Sequence, residues 1–195
     1  MNRAADVAVA GAGLLVTSPL LALAALAIKL EDGGPILYRQ TRVGKDGVDF
    51  DVLKLRTMVV GAETMGAGFA VDQGDRRITR VGRMLRRTSI DELPQLWNVL
   101  RGDMSVIGPR PTLRYQVEQY DERQRRRLEV RPGLTGWAQV HGRAALPWAE
   151  RIELDVEYVE RRSPRLDLEI LLRTPLALFR GTYRGATGGW RDKAS

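Results

Sequence analysis

Residues 7–28 read VAVAGAGLLVTSPLLALAALAI, 22 residues without a charge between Asp6 and Lys29. A helix needs about 20 apolar residues to cross ~30 Å of hydrocarbon, so this run is long enough to enter a membrane. Three architectures compete for it. A cleaved signal peptide would use Arg3, the apolar run and the small residues of Ala25-Leu26-Ala27. Its apolar core is usually ~7–15 residues, however, and this one is longer and interrupted by Pro19. A plain spanning helix would be followed, as here, by Lys29, Arg39, Arg42 and Lys45, which would hold the main domain in the cytoplasm. A re-entrant hairpin would dip into one leaflet and return, breaking at Ser18-Pro19. Pro19 has no backbone N–H and crowds the Leu15 carbonyl, so the helix bends there. A Ser18 hydroxyl bonded back to the Leu14 carbonyl would ease the break inside lipid. The two halves, 7–17 and 20–30, are each about 16 Å long, half a bilayer. These residues leave the spanning and re-entrant forms open.

Beyond this run, the 195 residues allow one domain with a sizeable core but not two large ones. Lys plus Arg total 31 against 24 Asp plus Glu, a formal charge of +7 that suits an anionic partner: nucleic acid, lipid or phosphorylated substrate. With no cysteine and one His, disulfide frameworks, thiolate metal sites and His-rich zinc sites are excluded. The organisation expected is a membrane helix over 1–30, a main domain over 31–180 and a Gly-rich tail over 181–195. The fold class is α+β, mainly helical.

Ile36-Leu37-Tyr38 and the run from Phe50 to Leu55 read as strands of a hairpin around Gly44-Lys45-Asp46-Gly47. The Gly-rich segment 60–75 reads as a mobile loop. Ile78, Val81, Met84 and Leu85 recur at helical spacing among six arginines, giving a basic amphipathic helix suited to an anionic membrane surface or to plain solvent. Further helices are expected over 90–100, capped by Thr88 or Ser89 and stopped by Gly102, over 113–130, over 148–162 and over 166–180. The last is Leu-rich, holds Pro175 and could lie in a membrane interface.

Asp91-Glu92 opens the 90–100 helix, where backbone N–H groups favour an anion. Alone, such a pair is ordinarily a dipole-compensating cap, and adjacent carboxylates on a helix point about 100° apart, suiting different roles. The wider pattern changes the reading. Lys54-Leu55-Arg56-Thr57-Met58, the Asp91-Glu92 cluster, Gly108-Pro109-Arg110-Pro111 and Arg131-Pro132-Gly133-Leu134-Thr135-Gly136-Trp137-Ala138-Gln139-Val140 follow the broken apolar helix in that order. Together they resemble the monotopic phosphoglycosyl transferases, also called bacterial sugar transferases, over nearly the whole chain from Arg3 to Phe179.

The resemblance implies a small, minimal member of that family on the cytoplasmic face of the bacterial inner membrane. It implies a re-entrant helix in one leaflet, broken at Ser18-Pro19, with both ends cytoplasmic. Its catalytic dyad falls on Asp91 and Glu92, which also serve as ligands for Mg²⁺. The implied reaction has two steps. The Asp91 carboxylate attacks the sugar-bearing phosphate of a UDP-sugar and UMP leaves. A polyprenol phosphate then collects the phosphosugar, the first committed step of glycan or exopolysaccharide assembly. Carried over to this chain, the motifs put Lys54, Arg56, Thr57, Arg110, Thr135, Gln139, His141 and Arg143 around the substrate; Asp155, outside those motifs, is a further candidate for a metal or ribose contact.

Physical chemistry agrees with those roles. A carboxylate nucleophile splits one hard displacement into two, and it can approach a diphosphate only where Mg²⁺ and cations neutralise the charge. Trp137 and Trp148 could stack on a base, anchor at the interface or pack in the core. Two departures stand out: His141-Gly142-Arg143 where the family often has Asn-Gly-Arg, and Leu55 where an aromatic is common. A membrane-tethered nucleic-acid-binding protein is the rival from another class, but aromatics are 6% of the chain and are not interleaved with the Arg runs, so no nucleic-acid partner is expected. A non-catalytic polyprenol-binding scaffold is the third reading.

Overall fold

The computed structural model describes residues 2–65, 74–142 and 146–179; Arg143, the middle of the 60–75 loop and the tail from Gly181 lie outside them. The apolar run belongs to one helix, α1 (Arg3–Asp32). The Asn2 side chain accepts from the Ala5 N–H at its start, and Gly33 closes it in the left-handed region. Pro19 lies inside α1 without ending it. The Ser18 hydroxyl donates to the Leu15 carbonyl at 2.8 Å, not to Leu14 as expected from the sequence. The reason is local: Leu15 holds the carbonyl that Pro19, lacking an N–H, leaves without its helical donor.

One face of α1 packs on the domain. Ala10 joins a core with Leu96, Val99, Ile107, Tyr158 and Ile170, and Ala24 and Ile28 join another with Leu55 and Leu85. The other face leaves Leu15, Val16, Leu23, Leu26 and Leu30 more than half exposed. By length and composition α1 can cross a membrane. Polar bonds tie both of its ends to the same domain. Near the start, Arg3 donates to the Val99 and Leu100 carbonyls, and buried Asp6 accepts from the Ser105 hydroxyl and the Val106 N–H, both at 2.9 Å. Near the end, Glu31 accepts from the Arg80 N–H at 2.7 Å and Asp32 pairs with Arg56.

The hairpin forms as expected: β1 (Leu37–Val43) pairs antiparallel with β2 (Asp49–Leu55), Tyr38 opposite Lys54. The basic helix is α2 (Arg80–Thr88), capped by Thr79, whose hydroxyl accepts from the Gly82 N–H. The 90–100 helix divides. Ser89 is in the left-handed region and ends α2 rather than capping a new helix; Ile90–Glu92 is a 3₁₀ turn; α3 (Gln95–Arg101) follows and stops at Gly102. Pro94 explains the division, since it has no N–H to give the Ile90 carbonyl, which takes Leu93 instead. Buried Asn98 of α3 fastens it to β2, accepting from the Leu53 N–H and donating to the Asp51 carbonyl.

Two short strands not foreseen, β3 (Ser105–Ile107) and, later in the chain, β4 (Gly133–Thr135), pair in parallel. The single helix expected over 113–130 is instead α4 (Arg114–Val117), α5 (Glu122–Arg125) and a 3₁₀ turn, Arg126–Leu128. Asp121 and Gln124 form a reciprocal capping box that restarts the chain, and Tyr120 turns inward against Val43 and Val117. A short α6 (Trp137–His141) precedes α7 (Trp148–Arg161) and α8 (Pro164–Phe179), which holds Pro175. Tyr158 of α7 donates to Asp167 of α8 at 2.8 Å.

Candidate active site

The 3₁₀ turn presents Asp91 and Glu92 at the foot of the hairpin. Glu92 Oε1 accepts from Lys54 Nζ of β2 at 2.9 Å and from Arg110 Nη2 at 2.6 Å. Burial pushes the Glu92 carboxyl up, but Arg110 and Lys54 outweigh it and hold the group well below the usual carboxylate range. Asp91 goes the other way: burial first, then the charge of Glu92, raise it. The ion pairs of this turn go to Glu92 and none, among the described residues, to Asp91.

Arg110 reaches Glu92 because of a close backbone crossing. After β3 the chain runs Gly108-Pro109-Arg110-Pro111; Gly108 N donates to the Thr135 carbonyl at 2.9 Å and Gly133 N to the Pro109 carbonyl at 2.8 Å. A Cβ on Gly108 would stand 2.4 Å from the Arg131 carbonyl oxygen, and one on Gly133 would stand 2.0 Å from Gly108 N. Side chains are thus barred from both positions, which accounts for both glycine-containing motifs at once. A buried ion pair then props the loop. Arg127 pairs with Asp155, takes Tyr120 OH as a further acceptor and donates to the Arg110 carbonyl at 2.9 Å. Burial pushes Asp155 up to about 6, partly offset by Arg127.

Adjacent in sequence, the two carboxylates face different cavities. Glu92 lines one of about 230 Å³ with Arg42, Arg110, Arg127, Gln139, Trp148 and Asp155 among its walls. Asp91 lines another of about 370 Å³ with Tyr38, Arg42, Lys54, Arg56, Thr57 and Arg86. Arg42 borders both, and burial, then Arg110, lowers its pKa to about 10.

Of the residues expected around substrate, the structure gathers Lys54, Arg110, Gln139 and Asp155 about the dyad. Arg56 and Thr57 line the Asp91 cavity while holding structure: Arg56 bonds Asp32 and the Pro35 and Met58 carbonyls, and Thr57 accepts from Arg86. Thr135 and His141 line neither cavity; Thr135 bonds the Thr174 hydroxyl at 2.8 Å, and His141 lies beside the Trp137 carbonyl and Arg173. Arg143 lies outside the described residues. The sequence reading missed Arg42, Arg127 and Arg151 as site residues. Arg127 stands in the run Arg125-Arg126-Arg127, where nothing sets it apart from its neighbours.

Metal binding has one suitable feature. Among the described residues no three His, Cys, Asp or Glu side chains gather into a cage. Mg²⁺ needs none: it usually takes one or two carboxylates with phosphate oxygens and water. Asp91, on a cavity wall and outside the ion pairs, fits that requirement.

This arrangement of a carboxylate pair, flanking cations and adjoining cavities sits in a chain with close relatives. A bacterial sugar transferase profile matches residues 1–181. The uncharacterized sugar transferase EpsL of Bacillus subtilis is 42% identical over 174 residues, 89% of this chain and 85% of the relative. The UDP-glucose:undecaprenyl-phosphate glucose-1-phosphate transferase of Caulobacter vibrioides is 49% identical over 186 residues, 91% of this chain and 69% of the relative. A UDP-N-acetylgalactosamine-undecaprenyl-phosphate N-acetylgalactosaminephosphotransferase of Aeromonas hydrophila is 44% identical over 187 residues, 93% of this chain but 44% of that longer protein. With matches of this extent, the chain belongs to the bacterial sugar transferase family.

Proposed function

We propose that the protein transfers a phosphosugar from a UDP-sugar to a polyprenol phosphate through a covalent intermediate on Asp91. The observation that carries this reading is the division of labour in the dyad. Glu92 is spent on Lys54 and Arg110, while Asp91 stays outside those ion pairs on the wall of a cavity. Relatives named for UDP-glucose and UDP-N-acetylgalactosamine support the nucleotide-sugar donor, and their undecaprenyl phosphate supports the lipid acceptor.

In the first step an Asp91 oxygen attacks the sugar-bearing phosphorus. The bond from that phosphorus to the bridging oxygen breaks, and UMP leaves with the electron pair. In the second, an oxygen of the polyprenol phosphate attacks the same phosphorus and expels the Asp91 carboxylate, giving polyprenyl-diphospho-sugar. Lys54 and Arg110, held by Glu92, bring positive charge to the developing anions. Asp91, with Glu92 beside it, would hold Mg²⁺, which when bound neutralises diphosphate charge.

Features of α1 support the membrane reading. Its outer face is apolar, and its two ends are bonded to one domain. A helix crossing a bilayer would carry one end about 30 Å from that domain's side. A re-entrant helix, entering from the cytoplasmic face and returning to it, keeps both sets of bonds. Leu168, Leu172 and Leu176, exposed four residues apart on α8, offer a second interfacial stripe.

The test is UMP release from UDP-sugar without lipid. The covalent route gives a burst of at most about one equivalent and a phosphosugar on the Asp91 peptide. Asp91→Asn should abolish burst and turnover, whereas Glu92→Gln should slow turnover and retain a slow burst. A wild-type enzyme that transfers to lipid yet never shows burst or adduct would mean direct attack by the lipid phosphate.

A further inference from the structure

We propose that the cavity behind Glu92 is the pocket for the sugar ring of the donor and that Gln139 and Asp155 read its hydroxyls, an assignment that rests on Asp91 being the nucleophile. Two independent observations meet here. The first is an accumulation of unmet hydrogen-bonding groups. Six buried side-chain atoms have no partner among the described residues, and five belong to this cavity's walls: both amide atoms of Gln139, Asp155 Oδ1, Arg127 Nε and Arg151 Nε. Buried polar groups are ordinarily satisfied, so such a cluster points to a missing ligand. The set mixes donors with acceptors, as a ring bearing several hydroxyls requires, since each hydroxyl both donates and accepts. Gln139, Asp155 and Arg127 are each at least 95% buried, so they are aimed inward and not at solvent. Trp148, with Arg151 stacked at 5.2 Å, adds an aromatic wall for the apolar face of a ring. At about 230 Å³ the cavity is smaller than the ~300–1,000 Å³ typical for larger ligands.

The second observation is which cavity each carboxylate faces. Phosphoryl transfer sets the attacking and leaving oxygens roughly in line across the phosphorus. Asp91 faces the larger cavity, so UMP must depart into that space, opposite Asp91. The lipid phosphate attacks the same phosphorus opposite Asp91 and so must take the place UMP vacated. The larger cavity is therefore an exchange compartment used in turn by both. The sugar, attached to an equatorial oxygen, projects sideways from the Asp91–phosphorus–UMP axis and stays through both steps. Glu92, next to Asp91, opens the cavity on that flank.

The full-length enzyme tests this with Gln139→Met, which keeps the side-chain length and removes both hydrogen-bonding groups. The Gln139 amide bonds nothing among the described residues, so the fold should survive, and an unchanged melting temperature verifies it. The readings, with polyprenol phosphate present as acceptor, are kcat/KM for UMP release from a panel of UDP-hexoses differing at single hydroxyls, and the inhibition constant of UMP. Sugar-ring binding predicts a loss of about tenfold or more for the best donor, a narrower spread across the panel and unaltered UMP inhibition. Asp155→Asn should likewise reorder the panel. Weakened UMP inhibition with the ranking preserved would place the uridine here and overturn the assignment. So would an unchanged panel and unchanged UMP inhibition. Wild-type protein that releases no UMP from any donor would overturn the transferase reading as well.

Discussion

Arg127 Nη2 donates to the backbone carbonyl of Arg110 at 2.9 Å, so the loop that delivers a cation to Glu92 hangs on a guanidinium buried between Tyr120 and Asp155. The positioning is indirect. Arg127 sets the Arg110 backbone, Arg110 pairs with Glu92, and Asp91 stays outside the ion pairs among the described residues. Arg127 is 3% exposed, and Asp155 pairs with it equally far from water.

Replacing one partner of such a pair should therefore be expensive. Arg127→Met leaves Asp155 buried and unpaired, and unfolding free energy should fall by about 3–5 kcal/mol. The double variant Arg127→Met, Asp155→Leu removes both charges and should recover most of that stability. It should not recover donor binding, because the Arg110 carbonyl still lacks its prop and the Asp155 carboxylate is gone from the cavity wall. Denaturant titration and the KM of UMP release check the two parts; a loss below ~1 kcal/mol in the single variant would contradict the buried-pair account.

Much of this site was legible in the sequence, for specific reasons. Asp91-Glu92 and Gly108-Pro109-Arg110-Pro111 are local motifs whose spacing carries their meaning, and the hairpin announced itself through its turn. The helix over 113–130 was misjudged because charged residues fit a helix everywhere, while the capping box of Asp121 and Gln124 that interrupts it reads like ordinary polar surface. β3 and β4 were missed because three-residue strands leave no periodicity. Arg42 and Arg127 were missed because their roles depend on contacts across the fold: Arg42 borders both cavities, and Arg127 bonds Asp155, 28 positions along the chain.

Asp155 should leave a mark on the pH dependence of stability. Its folded-state pKa is about 6, above the ~3.9 of an unfolded Asp. Between those values the folded protein keeps a proton that the unfolded chain has released, so this residue's contribution is greatest at low pH and declines as pH rises from about 4 to 6. The melting temperature of wild type should therefore fall relative to that of Asp155→Asn, which cannot titrate, as pH rises across that window. A constant difference would mean that Asp155 does not titrate there.

Chelation probes the metal. The cations at the dyad are already engaged: Lys54 and Arg110 both bond Glu92. Neutralising a bound diphosphate should then depend on Mg²⁺, so EDTA should abolish UMP release and added Mg²⁺ restore it, with Mn²⁺ partly effective because it also accepts oxygen ligands. Full activity in excess chelator would leave the arginines and Lys54 to neutralise the diphosphate alone.

The membrane helix gives the sharpest topological prediction. Asn2 precedes the Arg3 and Asp6 anchors of α1, and Lys45 lies in the hairpin turn beyond the Asp32 anchor. If the helix is re-entrant, single cysteines at 2 and 45 should both be labelled from the cytoplasmic side. The chain has no native cysteine to confuse the assay. Replacing Ser18 and Pro19 by Leu restores the missing N–H to Leu15 and makes the whole of 7–28 a continuous apolar helix long enough to cross. The spanning form would then compete, carrying residue 2 to the far side while 45 stays. That change would also tear Arg3 from the Val99 and Leu100 carbonyls and Asp6 from Ser105, so transfer should fall together with the labelling of residue 2. Labelling of 2 and 45 from opposite sides in the wild type would make α1 a spanning helix.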